Sequence, residues 1–140
     1  MIFDSARPHI AIVGRRNVGK SLLINSLLKQ NVSKVSEVAG TTVDPLRTKF
    51  ELLPYGPVVI VDTAGIDDEG ELGRQRITET IKILSSSDFA LVVLDARDTL
   101  HSKELELFSY LDRIQINYIV VVNKIEFGVN PVLLKELKEL

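Results

Sequence analysis

The chain has 140 residues, 45% apolar and 26% charged, with 17 Lys and Arg against 19 Asp and Glu and no Cys, which at roughly 100–200 residues per domain makes one domain. The net charge of −2 argues against a broad basic nucleic-acid footprint, and the lack of cysteine excludes disulfides, thiol chemistry and cysteine-ligated clusters in this chain. No apolar run approaches the roughly 18 residues of a membrane span and no secretory hydrophobic core opens the chain, which points to a cytoplasmic α/β domain.

In chain order, His9–Val13 is predicted as the first strand and Ser21–Lys29 as a helix, with Leu22, Leu23, Ser26 and Leu27 at helical spacing. Asn31–Arg47 is the longest stretch without a pattern, and loops of that length are usually functional or mobile. Thr48–Leu53 mixes charged and apolar residues. It suits an edge strand paired antiparallel with Val58–Asp62 across Pro54-Tyr55-Gly56-Pro57. Leu72–Ser85 reads as a helix with Ile77, Ile81 and Leu84 on one face, followed by a strand over Phe89–Leu94. Ser102–Arg113 is a helix with Ser102 as N-cap; Leu105 stands three residues on, so no capping box is expected. Its apolar positions are Leu105, Leu107, Phe108 and Leu111. Tyr118–Asn123 is the last strand, and Asn130-Pro131 opens a last helix with Val132, Leu133 and Leu134.

Four of the strands are continuously apolar (IAIV, VVIV, ALVVL, YIVVV), as strands covered on both faces of a parallel sheet are. Alternation with helices implies a doubly wound, mostly parallel α/β sheet with one antiparallel edge strand. Phe50, Phe89, Phe108 and Tyr118 fall on core-facing patterns. His9 and His101 have no partner at metal-ligand spacing and are expected to be structural or exposed.

Directly after the first strand stands Gly14-Arg15-Arg16-Asn17-Val18-Gly19-Lys20-Ser21, which satisfies G-x-x-x-x-G-K-S between a strand and a helix. Glycines let backbone N–H groups wrap a phosphate chain at the positive end of the helix. Lys20 then reaches β- and γ-phosphate oxygens, and the Ser21 hydroxyl suits Mg²⁺. The third strand ends in Asp62-Thr63-Ala64-Gly65, where an acid suits Mg²⁺ and the Gly65 N–H suits a γ-phosphate. The fifth ends in Asn123-Lys124-Ile125-Glu126, where a carboxylate can accept from N1–H and N2–H of guanine, a pair that adenine lacks.

These three motifs and Gly40-Thr41-Thr42, in that order over Ile10 to Glu126, resemble the four leading motifs of small GTPases. Asn17 in the P-loop and the Gly-Thr-Thr before the second strand resemble the TrmE–Era–Der branch. More narrowly, the P-loop, Gly40-Thr41-Thr42-Val43-Asp44-Pro45 and Asp67-Asp68-Glu69-Gly70-Glu71-Leu72-Gly73-Arg74 are similar to the GTPase domain of the HydF family, scaffold and carrier proteins of FeFe-hydrogenase maturation. Val43 stands where the rest of the branch usually has Arg.

The resemblance implies a P-loop fold that binds GTP or GDP with Mg²⁺ and hydrolyses GTP slowly. It implies nucleotide contacts from Arg16, Asn17, Val18, Gly19, Lys20, Ser21 and Leu22, and guanine contacts from Asn123, Lys124 and Glu126. Ser21, Thr42 and Asp62 would serve Mg²⁺, with Thr42 and Gly65 closing on the γ-phosphate. In this branch the P-loop asparagine ligates K⁺, which implies a K⁺ site at Asn17 completed by backbone carbonyls around Ser36 and Val38. Glu126 stands where Asp is usual, so guanine selectivity is expected to be weaker. Ile66 follows Gly65 where Ras-like enzymes carry the glutamine that orients water, so turnover should be slow. Glu71 matches the water-positioning acid of TrmE once a gap is allowed, while Asp67, Asp68 and Glu69 beside it read as a solvated acidic loop. Arg15, Arg16 and Arg74 are further candidates for a stabilising charge, although most surface arginines are simply solvated.

As partners the resemblance implies the remaining HydF domains, the HydE and HydG maturases and apo-hydrogenase, with dimerisation across the switch face and neither membrane nor nucleic acid. HydF's iron–sulfur ligands would lie outside this cysteine-free chain. Two alternatives stay open: an RNA- or ribosome-associated GTPase of the Era, Der or TrmE kind, and a nucleotide-gated interaction module with negligible hydrolysis. A complete domain of this branch usually continues through a sixth strand, a fifth guanine motif and a last helix. The sheet here is therefore expected to end in an unpaired edge.

Overall fold

Runs of β-branched residues build a five-stranded sheet in the computed structural model, which describes residues 7–30, 47–67 and 70–140; the side chains of Gln30, Phe50, Glu71 and Leu72 are not among those described. The strands are β1 (His9–Gly14), β2 (Arg47–Leu52), β3 (Gly56–Asp62), β4 (Phe89–Asp95) and β5 (Asn117–Asn123), in the order β2-β3-β1-β4-β5. β1 lies between β3 and β4 and runs parallel to both, β5 extends the parallel set, and β2 pairs antiparallel with β3. The helices are α1 (Lys20–Gln30), α2 (Gly70–Ser85), α3 (Ser102–Arg113) and α4 (Pro131–Lys138). The α/β P-loop architecture and the antiparallel edge hairpin are those expected from the chain.

Side chains alternate across the sheet, so each strand feeds two cores. On one face Ala11, Val13, Val59, Val61, Val92 and Leu94 meet Leu84 of α2, Leu107, Phe108 and Leu111 of α3 and Leu133 of α4. On the other, Ile12, Val58, Ile60 and Val93 meet Val18 of the β1–α1 loop and Ile24 of α1. Because β1 is central and its neighbours' connections leave to opposite sides, the carboxyl ends of β1, β3 and β4 open a crevice. That switch point is where ligands bind in such sheets.

The helix faces differ from the pattern reading. In α1, Ile24 is the buried residue, with Leu23, Leu27 and Leu28 packed beside it, whereas Leu22 is 69% exposed. In α2, Ile81 faces outward and Thr80, Ile83 and Leu84 face inward; in α3, Leu105 is exposed while Glu104 is buried. Adjacent apolar residues offer several overlapping stripes, and only the facing sheet selects one. The N-cap of α3 is His101, not Ser102. Its Nδ1 accepts from the Lys103 N–H at 3.1 Å, and Glu104 Oε1 accepts the His101 N–H at 2.8 Å, closing the box that Leu105 was expected to forbid. β5 is an edge strand among the described residues, and it is not covered on both faces, since Ile119 is 54% exposed.

Leu111 is fully buried and Leu105 is not. Leu111→Ala should therefore lower stability by about 2–5 kcal/mol and Leu105→Ala by about 0.5 kcal/mol or less, measured as urea unfolding of the two variants side by side.

Candidate functional site

β1 ends at Gly14 and α1 begins at Lys20, so residues 14–19 must turn the chain over the carboxyl edge of the sheet. Asn17 (φ 64°) and Gly19 (φ 97°) take left-handed backbone conformations to do so. A Cβ on Gly19 would run into Nδ2 of Asn123, so both the backbone and the neighbour demand glycine there. Four carbonyls of the loop are engaged by side chains. Lys20 Nζ donates to Gly14 O at 3.1 Å and Arg15 O at 2.8 Å, Asn123 Nδ2 to Val18 O at 2.8 Å and Lys124 Nζ to Asn17 O at 2.5 Å. In a planar trans peptide C=O and N–H point in opposite directions, so these bonds turn the N–H groups of Val18 and Gly19 to the other side of the loop.

A cavity of about 470 Å³ lies here, lined by Asn17, Gly19, Lys20, Ser21, Leu22, Asp62, Thr63 and Lys124. A second, of about 440 Å³, shares Leu22 and Lys124 with it and adds Leu23, Ser26, Arg97, Asn123, Glu126 and Phe127. The first is lined largely by polar and charged side chains, and the second brings Asn123 and Glu126 beside Leu22, Leu23 and Phe127.

Two acids end the strands that flank β1, and their environments are opposite. Asp62 carries a buried Oδ1 with no hydrogen-bond partner among the described residues. Burial raises its pKa, outweighing the Lys20 charge and the Thr63 N–H, which lower it. Thr63 itself is anchored, its Oγ1 donating to Ile12 O at 2.7 Å. Asp95 is satisfied: Arg97 donates through Nε at 3.0 Å, Nη2 at 2.7 Å and its backbone N–H at 3.0 Å, and Lys124 Nζ lies 3.6 Å away. The Arg97 hydrogen bonds hold the Asp95 carboxyl well below the usual carboxylate range, against the opposing effect of burial. Arg97 in turn lies over the Phe127 ring, 5.1 Å from its centroid.

Residues 9–124 match the family described as 50S ribosome-binding GTPase. The chain belongs to this GTPase family. It is 40% identical over 126 residues to GTPase Der of a Nitratiruptor species, covering 86% of this chain and 27% of that protein. GTPase Der of Campylobacter jejuni is 41% identical, with the same coverage. Among solved structures, a variant of Aquifex aeolicus Era bound to GDP and AlF4⁻ superposes with a TM-score of 0.71 at 30% identity, over 94% of this chain and 45% of that one. Era in complex with MgGDPNP and part of 16S ribosomal RNA superposes at 0.72 with 29% identity, over 94% and 46%. The chain thus spans about a quarter of the Der relatives and under half of the Era chains. These names are those of the alternative reading rather than of HydF.

In this chain, Asn17, Gly19, Lys20, Ser21 and Asp62 line the first cavity, Asn123 lines the second and Lys124 lines both, whereas the Val18 side chain is buried in the core. Leu22 sits at the rim of the first, and Glu126 is exposed at the mouth of the second. The Arg16 N–H is taken by Asp67, so that backbone donor is engaged outside the crevice. Ser36, Val38 and Thr42 lie outside the described residues, and Glu71 falls in the first turn of α2. Asp67 is no solvated surface acid: its side chain is 13% exposed and pairs with Arg15 and Arg16, so neither the acid nor Arg15 fits the expectation of free charge. Asp95 and Arg97 escape a reading of the sequence alone; the available signal is an acid ending a strand, as Asp62 does. No helix among the described residues is long and apolar enough to cross a membrane.

The two acids should titrate with opposite signs. Asp62→Asn removes a charge whose burial opposes folding, so its urea midpoint at pH 7 should exceed wild type, and the gain should vanish at a pH low enough to protonate Asp62. Asp95→Asn should lower the midpoint at pH 7. That loss persists down to about the unfolded-state value of 3.8 and fades only as pH falls below it, because the native pKa is lower still.

Proposed function

We propose that the chain is the GTP-binding and GTP-hydrolysing switch domain of an Era/Der-type GTPase. The observation that carries this reading is the orphaned Asp62 Oδ1, buried in a crevice lined by Lys20, Ser21 and the P-loop. A buried carboxylate oxygen without a donor costs free energy unless a cation or its water shell serves it. The set of Asp62 oxygen, Ser21 hydroxyl and phosphate oxygens is hard and oxygen-only, which fits Mg²⁺. Ser21 and Asp62, with Thr42 of the switch I segment, would hold the ion, which when bound neutralises charge on the β- and γ-phosphates.

The chain's own groups divide the remaining work. Lys20 and the N–H groups of Val18 and Gly19 bind phosphate oxygens. The Gly65 N–H meets the γ-phosphate, and Asn123, Lys124 and Glu126 face the base. Ile66 is 7% exposed and packs into the core with Ile83 and Leu84, so its side chain holds no water. Slow turnover follows, with Glu71 as the acid proposed to position the attacking water. Asn17 and the carbonyls of Ser36 and Val38 form the proposed K⁺ site, whose charge would oppose that developing on the phosphates. The Era relative bound to 16S ribosomal RNA makes ribosomal RNA the proposed partner of the whole protein.

A second reading keeps the HydF family, with HydE, HydG and apo-hydrogenase as partners. It rests on the sequence resemblance of residues 14–21, 40–45 and 67–74 alone. Gel-shift of the full-length protein on 16S ribosomal RNA against co-purification with HydG separates the two.

Lys20→Ala removes charged hydrogen bonds of about 1.5–3 kcal/mol each, so GTP affinity should fall roughly ten- to a hundredfold; unchanged affinity excludes the phosphate site. Competition against a fluorescent guanine nucleotide should rank GDP above ADP, and equal affinities exclude guanine recognition. Hydrolysis should be faster in KCl than in NaCl at equal ionic strength, and equal rates remove the K⁺ site.

A further inference from the structure

Asp67 lies two residues beyond Gly65, between β3 and α2, and faces the P-loop from outside the crevice. Oδ1 accepts the backbone N–H of Arg16 at 2.7 Å and lies 3.9 Å from Arg16 Nε, while Oδ2 lies 3.4 Å from Arg15 Nε. Arg15 reaches on to Asp98 after β4, Nη1 to Oδ2 at 3.4 Å. The two residues before Asp67 are tied to the same loop. The Ile66 N–H donates to Gly14 O at 3.2 Å, and Gly65 packs so closely that a Cβ would stand 2.9 Å from Arg16 N. Burial pushes the Asp67 carboxyl up, but the Arg16 N–H, its own backbone N–H and the Arg15 and Arg16 charges outweigh it and keep the group below its ordinary pKa. Three consecutive residues of the β3–α2 connection are thus laced to the outer side of the P-loop, and Asp67 supplies the charged end of the lacing.

We propose that Asp67 is a positioning residue for GTP hydrolysis, latching the Gly65 backbone to Arg15 and Arg16 so that the Gly65 N–H stands ready for the γ-phosphate. The inference rests on the GTPase reading. It assigns a task to a residue that touches neither nucleotide nor metal. The latch acts through Gly65, which meets only the γ-phosphate, so its loss falls on turnover and on preference for GTP over GDP. GDP affinity depends chiefly on Gly19, Lys20 and the base-facing Asn123, Lys124 and Glu126, none of which Asp67 touches, while the Arg16 N–H is already engaged away from the crevice.

Asp67→Ala removes every contact; Asp67→Asn keeps an oxygen acceptor for the Arg16 N–H and removes the charge. Single-turnover GTP hydrolysis and GDP dissociation are measured for wild type and both variants, with the urea midpoint as a check on folding. The expected result is a tenfold or greater loss of kcat in Asp67→Ala, a smaller loss in Asp67→Asn, and GDP dissociation within threefold of wild type in both. Wild type that neither binds GDP nor hydrolyses GTP overturns the GTPase reading. Active wild type with both variants within twofold in kcat overturns the latch alone. Loss of GDP affinity in step with kcat in both variants makes Asp67 a scaffold residue and also overturns it.

Discussion

The site is organised around the capture of the P-loop's carbonyls. Lys20, Asn123 and Lys124 donate to the oxygens of Gly14, Arg15, Val18 and Asn17. An oxygen-lined loop would repel a phosphate. Once those oxygens are engaged by cationic and amide donors, the peptide planes are set and the N–H side of the loop is what a ligand meets. Lys20 opens α1, Asn123 ends β5 and Lys124 follows it, so the loop is held jointly by a local helix and by a strand end more than a hundred residues away. The two cavities are therefore one mechanical unit, with Lys124 lining both.

Around this loop the fold places acids of contrasting condition at equivalent points. Asp62 and Asp95 end the strands on either side of β1. Asp95 is consumed by Arg97 and also pairs with Lys124, whose backbone takes a left-handed turn beside the second cavity. Asp62 retains an oxygen that no described residue serves. A satisfied carboxylate is architecture, while an unsatisfied one in a crevice stores free energy that a cation can release. Asp67 adds a third case, paired outward to the arginines and coupling the β3–α2 connection to the loop rather than to a ligand.

The motifs are legible because each is a short contiguous string beside a strand end. G-x-x-x-x-G-K-S after IAIV, the acid closing VVIV and Asn-Lys after YIVVV all place their chemistry at the carboxyl edge once the strands are parallel. What stays illegible depends on facing surfaces. Leu22 reads as core in the sequence because Leu22, Leu23, Ile24, Leu27 and Leu28 fit more than one stripe, and only the Ile12–Val58–Ile60 face chooses Ile24. His101 escapes notice as a cap since its imidazole is an unusual acceptor at that position, and Glu104 completes the box only with its carboxylate turned back to the His101 N–H. Asp67 reads as solvated because the arginines that bury it stand some fifty residues earlier.

The sequence by itself determined the fold class, the order and kind of the elements, and the chemistry of the crevice, since apolar strand runs and phosphate-binding glycines are local properties of the chain. Tertiary structure alone decided which acid is left unpaired, which helix face is buried, and that the two arginines of the P-loop are held by Asp67. Those outcomes turn on distances between segments far apart in the chain, where an ångström separates a satisfied charge from an orphaned one.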